Sequence, residues 1–385
     1  MSILELIVIG SATVFFGFYV VYFLICLRYY RLNVTGEVFS FSETQLPKVS
    51  IIVPVYNESK MVESRIENFS EFAYPMNKFE VVFVDGGSND GTLEKIESHA
   101  EGLSFELKIV KQGSRKGFNS AVIEGFNQTT GDIIFITGAE TKYERNAVRL
   151  IIDHFADPRV GAVNGTMRLS NSKEGNSTKI EAAYRTLYDF IREAESKIDI
   201  PFDIKGEIVA ARRAIYQRLV DRTDMLRKGS IDFACHYQAK KDGFHTVYEP
   251  LAVYYEPVAT SLHDSFKQMI RRAAVMIENM LAFKELILRR KYGKFGTLIL
   301  PAHLLMLIVL PWFFLLFVGG TLLLLLFNPL NYYLIGFVIF AFLAIVGSRK
   351  IQAVVKVQIS LVLATAKMLK GIETQKFERL SSARS

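Results

Sequence analysis

The chain has 385 residues, half of them hydrophobic and 22% charged, with a mean hydropathy of +0.22. That balance excludes an ordinary soluble enzyme and points to one or two domains, with membrane segments joined to a soluble part. Two cysteines and six scattered histidines exclude a disulfide framework and a zinc motif, and the net charge of +7 sits in basic residues beside apolar segments, which implies a membrane partner and no nucleic acid.

Residues 6–27 form an uncharged apolar run of bilayer-spanning length. A signal peptide would carry basic residues before such a run. Here Glu5 precedes it, and Arg28 and Arg31 follow. The positive-inside rule therefore directs its C-terminal end to the cytoplasm. Residues 48–260 read as soluble. Apolar runs at 49–53, 80–84, 105–110 and 133–137 alternate with helix-like stretches, the pattern of an α/β domain with a mainly parallel sheet. Residues 261–295 mix apolar and basic side chains, as in a helix lying on a membrane surface or one packed on the soluble domain. Residues 296–348 hold two further apolar stretches, with Asn328 and Pro329 at the turn between them. Pro311, Gly319 and Gly320 are expected to kink the first. Arg289, Arg290, Lys291 and Lys294 precede this pair, and Arg349 and Lys350 follow it, so both flanks belong inside. In 349–385, Lys356 and Lys367 interrupt the apolar stretch, which reads as an interfacial helix with a cytoplasmic tail or, alternatively, as a fourth span with snorkelling lysines.

Several strand ends carry polar groups. The first runs into Pro54, Val55, Tyr56, Asn57 and Glu58, and the second into Asp85, Gly86, Gly87, Ser88, Asn89 and Asp90. In open α/β sheets ligands bind beyond the carboxyl ends of the strands. Asp85 can accept hydrogen bonds from a nucleotide, and Ser88 or Asp90 can cap the helix from Thr92. Lys116 either meets a diphosphate or is a solvated lysine before a helix. Asp232 opens a helix, as a helix cap or as a general base. Arg271 and Arg272 suit a departing diphosphate or lipid headgroups.

In their order and spacing these segments resemble membrane-bound family 2 glycosyltransferases, which transfer sugars from nucleotide diphosphate donors on a GT-A fold. The resemblance spans most of the chain, down to Phe377, Glu378 and Arg379 in the tail. It implies an inverting transferase that takes a UDP- or GDP-sugar. Pro54, Tyr56, Glu58, Asp85, Lys116 and Glu140 would bind the donor, and Asp232 would deprotonate the acceptor. Gly206, Gln268, Arg271 and Arg272 would border the acceptor or the diphosphate, and Glu140 would hold Mg²⁺ or Mn²⁺. Three positions depart from the family pattern. Gly138 stands for the first aspartate of Asp-x-Asp, Ile231 for the acid before the base, and Arg272 for the tryptophan of Gln-x-x-Arg-Trp. Arg212 and Arg213 fit the acceptor-side strand or a structural role. The expected acceptor is a lipid or lipid-linked glycan at the cytoplasmic face of the cell membrane. The alternatives are a processive polysaccharide synthase and a catalytically silent binding subunit.

Overall fold

The computed structural model describes residues 2–32, 39–204, 206–222, 224 and 229–369. Lys205 and the tail motif at Phe377, Glu378 and Arg379 lie outside them. Helix α1 (Ile3–Tyr30) opens the chain from a reciprocal cap, in which the Glu5 N–H donates to Ser2 Oγ at 3.2 Å and the Ser2 N–H to Glu5 Oε2 at 2.7 Å. The soluble part then alternates through β1 (Val49–Val55), α2 (Val62–Ser70), β2 (Phe79–Asp85), α3 (Thr92–Ala100), β3 (Glu106–Lys111), α4 (Phe118–Phe126) and β4 (Ile133–Ile136). A short β5 (Lys142–Tyr143) and α5 (Ala147–Asp153) lead to β6 (Val160–Leu169) and α6 (Asn176–Ile198). After these come β7 (Val209–Arg212), α7 (Arg213–Val220), α8 (Ile231–Lys241), β8 (His245–Glu256) and α9 (Leu262–Ala282).

The strands form one sheet in the order β3-β2-β1-β4-β7-β6-β8-β5. The first four are parallel neighbours, as are β6 and β8, while β7 runs against β4 and β6, and β5 against β8. Alternate side chains face opposite layers because the strand period is two. Ile52, Val82, Val84, Ile134 and Ile136 point into the layer covered by α4, α8 and α9. Ile51, Val53, Val81, Phe83, Ile133 and Phe135 point into the layer covered by α2 and α5. A sheet buried on both faces explains why these strands read as continuous apolar runs. The order in which strands are added switches from one side of β1 to the other at β4, so a crevice opens beyond the carboxyl ends of β1 and β4. Pro54–Glu58 and Thr137–Glu140 lie at that opening.

Among the described residues three helices are long and apolar enough to cross a bilayer: α1, the continuous helix Phe295–Phe327, and α13 (Arg349–Leu369). The second contains α10 (Leu300–Leu304) and α11 (Leu310–Phe327), each preceded by a wide π-turn. Pro301 and Pro311 follow these turns and lack the N–H a regular helix would use, so the irregularity falls at the prolines. Gly319 and Gly320 do not kink it. A Cβ on Gly320 would stand 2.6 Å from Val8 Cγ2, so this glycine lets α11 approach α1. The expected second C-terminal span is α12 (Tyr332–Gly347), with 16 residues. At about 1.5 Å per residue it falls short of a hydrocarbon core of about 30 Å. The length lies instead in α13, which the sequence suggested was interrupted by lysine. Lys356 turns inward, is buried and donates to Ser265 Oγ on α9, so it does not break the apolar face. Helix α9 itself packs on the domain and buries Met269, Ile270, Ala273, Ile277 and Met280.

Candidate active site

The loops beyond β1, β2 and β4, the segment before β7, and helices α8 and α9 enclose a cavity of about 370 Å³. Pro54, Tyr56 and Glu58 line it beyond β1, Glu140 beyond β4, Gly206 before β7, Asp232 on α8, and Gln268, Arg271 and Arg272 on α9. Residues from five separate segments, as far apart as 54 and 272, thus meet in one place.

Asp85 and Lys116 do not line it. Asp85 is buried, and its carboxylate is engaged by its own loop. Oδ2 accepts from the N–H groups of Gly87 and Ser88, both at 3.1 Å, and Oδ1 from the Ser88 hydroxyl at 2.5 Å. Gly87 makes this turn possible: its φ is +83°, and a Cβ there would meet the Gly113 carbonyl oxygen at 3.2 Å. Lys116 is turned to Glu124, 3.1 Å away on the surface. The next turn starts α3, where Asp90 Oδ1 accepts from the Thr92 N–H at 3.1 Å and Asp90 Oδ2 from the Ser59 N–H at 3.2 Å. Arg212 and Arg213 are structural. Arg212 donates to the carbonyls of Val160, Phe155 and Asp157, and Arg213 to that of Gly131.

The donor end is built from backbone and flat groups. Gly86 N–H donates to Val55 O at 2.9 Å, and Gln112 N–H to Asp85 O at 2.9 Å, so the three strand ends form one floor. The Arg115 guanidinium lies 4.5 Å from the centre of the Tyr56 ring. Such a flat cationic pair offers a stacking surface to a planar base. Arg115 and Gln112 line this end, yet nothing in the sequence distinguishes them from solvated loop residues.

Asp232 stands directly over Gly206. A Cβ on Gly206 would lie 1.8 Å from Asp232 Oδ2, so only glycine leaves room for that carboxylate. Asp232 does not cap α8. Ser230 occupies the cap position, its hydroxyl donates to Asp232, and the Phe233 N–H reaches Asp232 Oδ1 at 2.7 Å. Burial, opposed by the Ser230 hydrogen bond and reinforced by the charge of Glu207, pushes the carboxyl up to about 6. Tyr254 OH holds Glu207 Oε2 at 3.1 Å. Glu256 ends β8 in the same wall, and burial followed by the charge of Glu207 raises it well above the usual carboxylate range. Facing these acids, Arg272 Nη1 donates to Glu181 Oε1 at 3.2 Å. Burial and the neighbouring Arg272 pull Arg271 down to about 10. Glu207 and Glu256 escaped the sequence reading. Each adjoins a recognisable feature (Gly206 and a strand end), but their convergence depends on the fold.

Among the described residues no three carboxylate, histidine or cysteine groups form a ready-made metal cage. Glu140 turns back over Gly138, where a Cβ would lie 2.7 Å from its Oε2. Its longer side chain thus occupies the room an aspartate at 138 would need. One protein carboxylate beside an open cavity fits a cation that takes its remaining oxygens from a diphosphate and water.

Comparison with known proteins agrees with this arrangement. Residues 50–219 match the family model for glycosyl transferase family 2. A poly-beta-1,6-N-acetyl-D-glucosamine synthase of Staphylococcus aureus (strain COL) is 26% identical over 284 residues, which cover 72% of this chain and 64% of the synthase. The chain therefore spans just under two thirds of that relative's length. The probable glycosyltransferase YdaM of Bacillus subtilis (strain 168) is 25% identical over 216 residues, or 55% of this chain and 51% of YdaM. The solved mannosyltransferase PcManGT from Pyrobaculum calidifontis, in complex with GDP-Man and Mn²⁺, superposes with a TM-score of 0.79 at 25% identity. That likeness covers 95% of this chain and 99% of the other, so the fold is GT-A with its apolar helices included.

Proposed function

We propose that the chain is a glycosyl transferase of family 2 and that it moves a sugar with inversion from a nucleotide diphosphate donor to a lipid or lipid-linked glycan at the cytoplasmic face of the membrane. The observation that carries this reading is the Asp232 carboxylate held over Gly206, in the same cavity that the Tyr56–Arg115 pair lines. A base bound at that pair directs its diphosphate along Glu140 toward Asp232. The acceptor hydroxyl then sits between Asp232 and the anomeric carbon. Asp232 removes its proton as the oxygen attacks, and the nucleoside diphosphate leaves on the opposite side. A carboxyl with a pKa of about 6 is ionised at neutral pH and is more basic than an ordinary aspartate, which suits it to this step.

Gln268, Arg271 and Arg272 face the cavity from α9 and would take up charge on the departing diphosphate. Glu140 would hold Mg²⁺ or Mn²⁺, whose chemistry is to neutralise that same charge. Asp85 would act indirectly by shaping the floor, and Lys116 by leaving Glu124 for the donor. The apolar helices would tether the cavity beside the bilayer, which favours a lipid-borne acceptor. A polymer-forming activity is the second reading, favoured by the likeness to the synthase. Arg272, in place of a sugar-stacking tryptophan, favours single transfer.

Purified protein with UDP- and GDP-sugars, a lipid extract, and Mn²⁺ or a chelator tests this by nucleotide release and product length. The expected result is release that requires the extract and the cation, gives a product one sugar longer, and disappears in Asp232→Asn with nucleotide affinity kept. Nucleotide binding without release on any extract would instead mark a silent binding subunit.

A further inference from the structure

Phe202 lies where four helices meet, outside the cavity. Its N–H donates to Glu195 Oε2 on α6 at 2.7 Å. Its carbonyl oxygen is 2.9 Å from His236 Nε2 on α8. Its ring stacks on His303 of α10, with centres 3.9 Å apart and planes 5° from parallel. The other oxygen of Glu195 meets the Tyr22 hydroxyl of α1 at 2.5 Å and His303 Nε2 at 2.6 Å. Phe202 and His236 are fully buried, and Tyr22, Glu195 and His303 are at most 4% exposed. One carboxylate thus ties two apolar helices, α1 and α10, to the soluble domain. A polar cluster so deeply buried holds its members in one geometry, because every broken contact leaves a polar group without water.

The cluster leads straight to the proposed base. From Phe202 the chain enters the cavity wall at Asp203 and Ile204 and reaches Gly206 beneath Asp232. His236 stands one turn after Asp232 on α8. Both members of the Gly206–Asp232 contact are therefore suspended from Phe202, one through the chain and the other through His236. The floor under the Tyr56–Arg115 pair rests on β1, β2 and β3, and none of these hydrogen bonds, nor the ring stack, reaches those strands.

We infer that Tyr22, Glu195 and His303 are positioning residues for the transfer step, fixing Gly206 and Asp232 relative to each other according to how α1 and α10 seat against α6. The inference rests on the reading of Asp232 as the base. It predicts a separation that a merely stabilising cluster would not produce: loss of kcat with donor binding kept. Tyr22→Phe removes only a hydroxyl. His303→Phe keeps a ring for Phe202 but no donor for Glu195, and Glu195→Gln keeps an acceptor.

The full chain in lipid nanodiscs is assayed for thermal unfolding, UDP and GDP affinity, and transfer kinetics. For folded Tyr22→Phe and His303→Phe we expect kcat to fall roughly ten- to a hundredfold while nucleotide affinity stays within about twofold, with Glu195→Gln between them and wild type. A kcat unchanged in both folded variants, while Asp232→Asn is inactive, overturns the inference and leaves the base assignment standing. An equal loss of nucleotide affinity overturns it as well, because the cluster would then act on the whole domain. Turnover that survives Asp232→Asn removes the base and the inference together. If His303→Phe fails to fold, Tyr22→Phe decides.

Discussion

Asp232 carries two opposed demands, and both titrate. As the proposed base it must be ionised, so the transfer rate is expected to hold above pH 6 and to fall about tenfold for each unit below it. The limb should lie near 6, set first by burial and then by the charge of Glu207 against the Ser230 hydrogen bond. Glu207→Gln removes that charge, so the limb should move to lower pH; a limb that stays fixed would mean another group is titrating. Stability runs the other way. The folded chain holds this proton more tightly than an unfolded one, so the group favours folding at low pH, and that contribution is lost as pH rises through about 6. Asp232→Asn should accordingly be the more stable protein at pH 7, by on the order of 1 kcal/mol, and should lose that advantage at pH 4. Equal unfolding curves at the two pH values would show that the carboxyl is not strained. The residue itself was legible in the sequence through its spacing from other motifs. Its neighbours were not: Glu207 acts on Asp232, and Glu256 on Glu207, only because β7 and β8 lie near each other in the sheet, on either side of β6.

At the level of elements, the apolar strands were readable because each is buried on both faces. The turn after β2 shows where such reading stops. Asp85, Gly86 and Gly87 suited a nucleotide, but which way the Asp85 carboxylate points was decided by N–H groups two and three residues ahead. The apolar helices show the same limit. Prolines and glycines both weaken helices, and composition could not say which of them would do so here. Pro301 and Pro311 follow the π-turns, whereas Gly320 is a contact surface for α1. Lys356 was misleading for a related reason: a lysine breaks a membrane helix only if it faces lipid, and Ser265 gives it a partner inside. The two adjacent glycines offer a controlled test. A Cβ on Gly320 overlaps Val8, while a Cβ on Gly319 meets nothing within 4 Å. Gly320→Ala should therefore destabilise the α1–α11 pair by about 1–3 kcal/mol, whereas Gly319→Ala should be neutral or slightly stabilising. Thermal unfolding in one detergent separates them, and equal effects would mean that helix propensity rather than packing governs this site.

For the whole molecule the open question is which side of the bilayer the cavity faces, and charge is the main guide. Arg28 and Arg31 follow α1, Arg289 to Lys294 precede the long helix, and Arg349 and Lys350 begin α13. The first two clusters adjoin the soluble domain. Lys294 is moreover fixed there, donating to Tyr29 OH at 2.7 Å, so the domain ends of α1 and of the long helix lie together. The positive-inside rule predicts that this common end is cytoplasmic, where nucleotide sugars are available. The turn at Asn328 and Asn331 lies at the far end of the long helix, a rise of about 50 Å for its 33 residues. It should therefore face outside. The native cysteines, Cys26 and Cys235, are both buried, so a membrane-impermeant thiol reagent should leave the unmodified chain largely unlabelled. Asn331→Cys should be labelled in intact cells, and Lys142→Cys, exposed on the soluble domain, only after the membrane is opened. The reverse pattern would put the cavity outside and exclude a cytoplasmic donor. Labelling of both only after opening would mean that the long helix does not cross. The 16-residue α12 then becomes informative, because it leads from that turn to Ser348, Arg349 and Lys350, which lie beside Asn176 and Ala183 of the domain helix α6. With the turn outside, this contact predicts that α12 makes the return crossing, the shortfall of its length being met by local thinning of the bilayer. Labelling of Ser348→Cys only after the membrane is opened, as for Lys142→Cys, would support that return, whereas labelling in intact cells would mean that α12 stays outside.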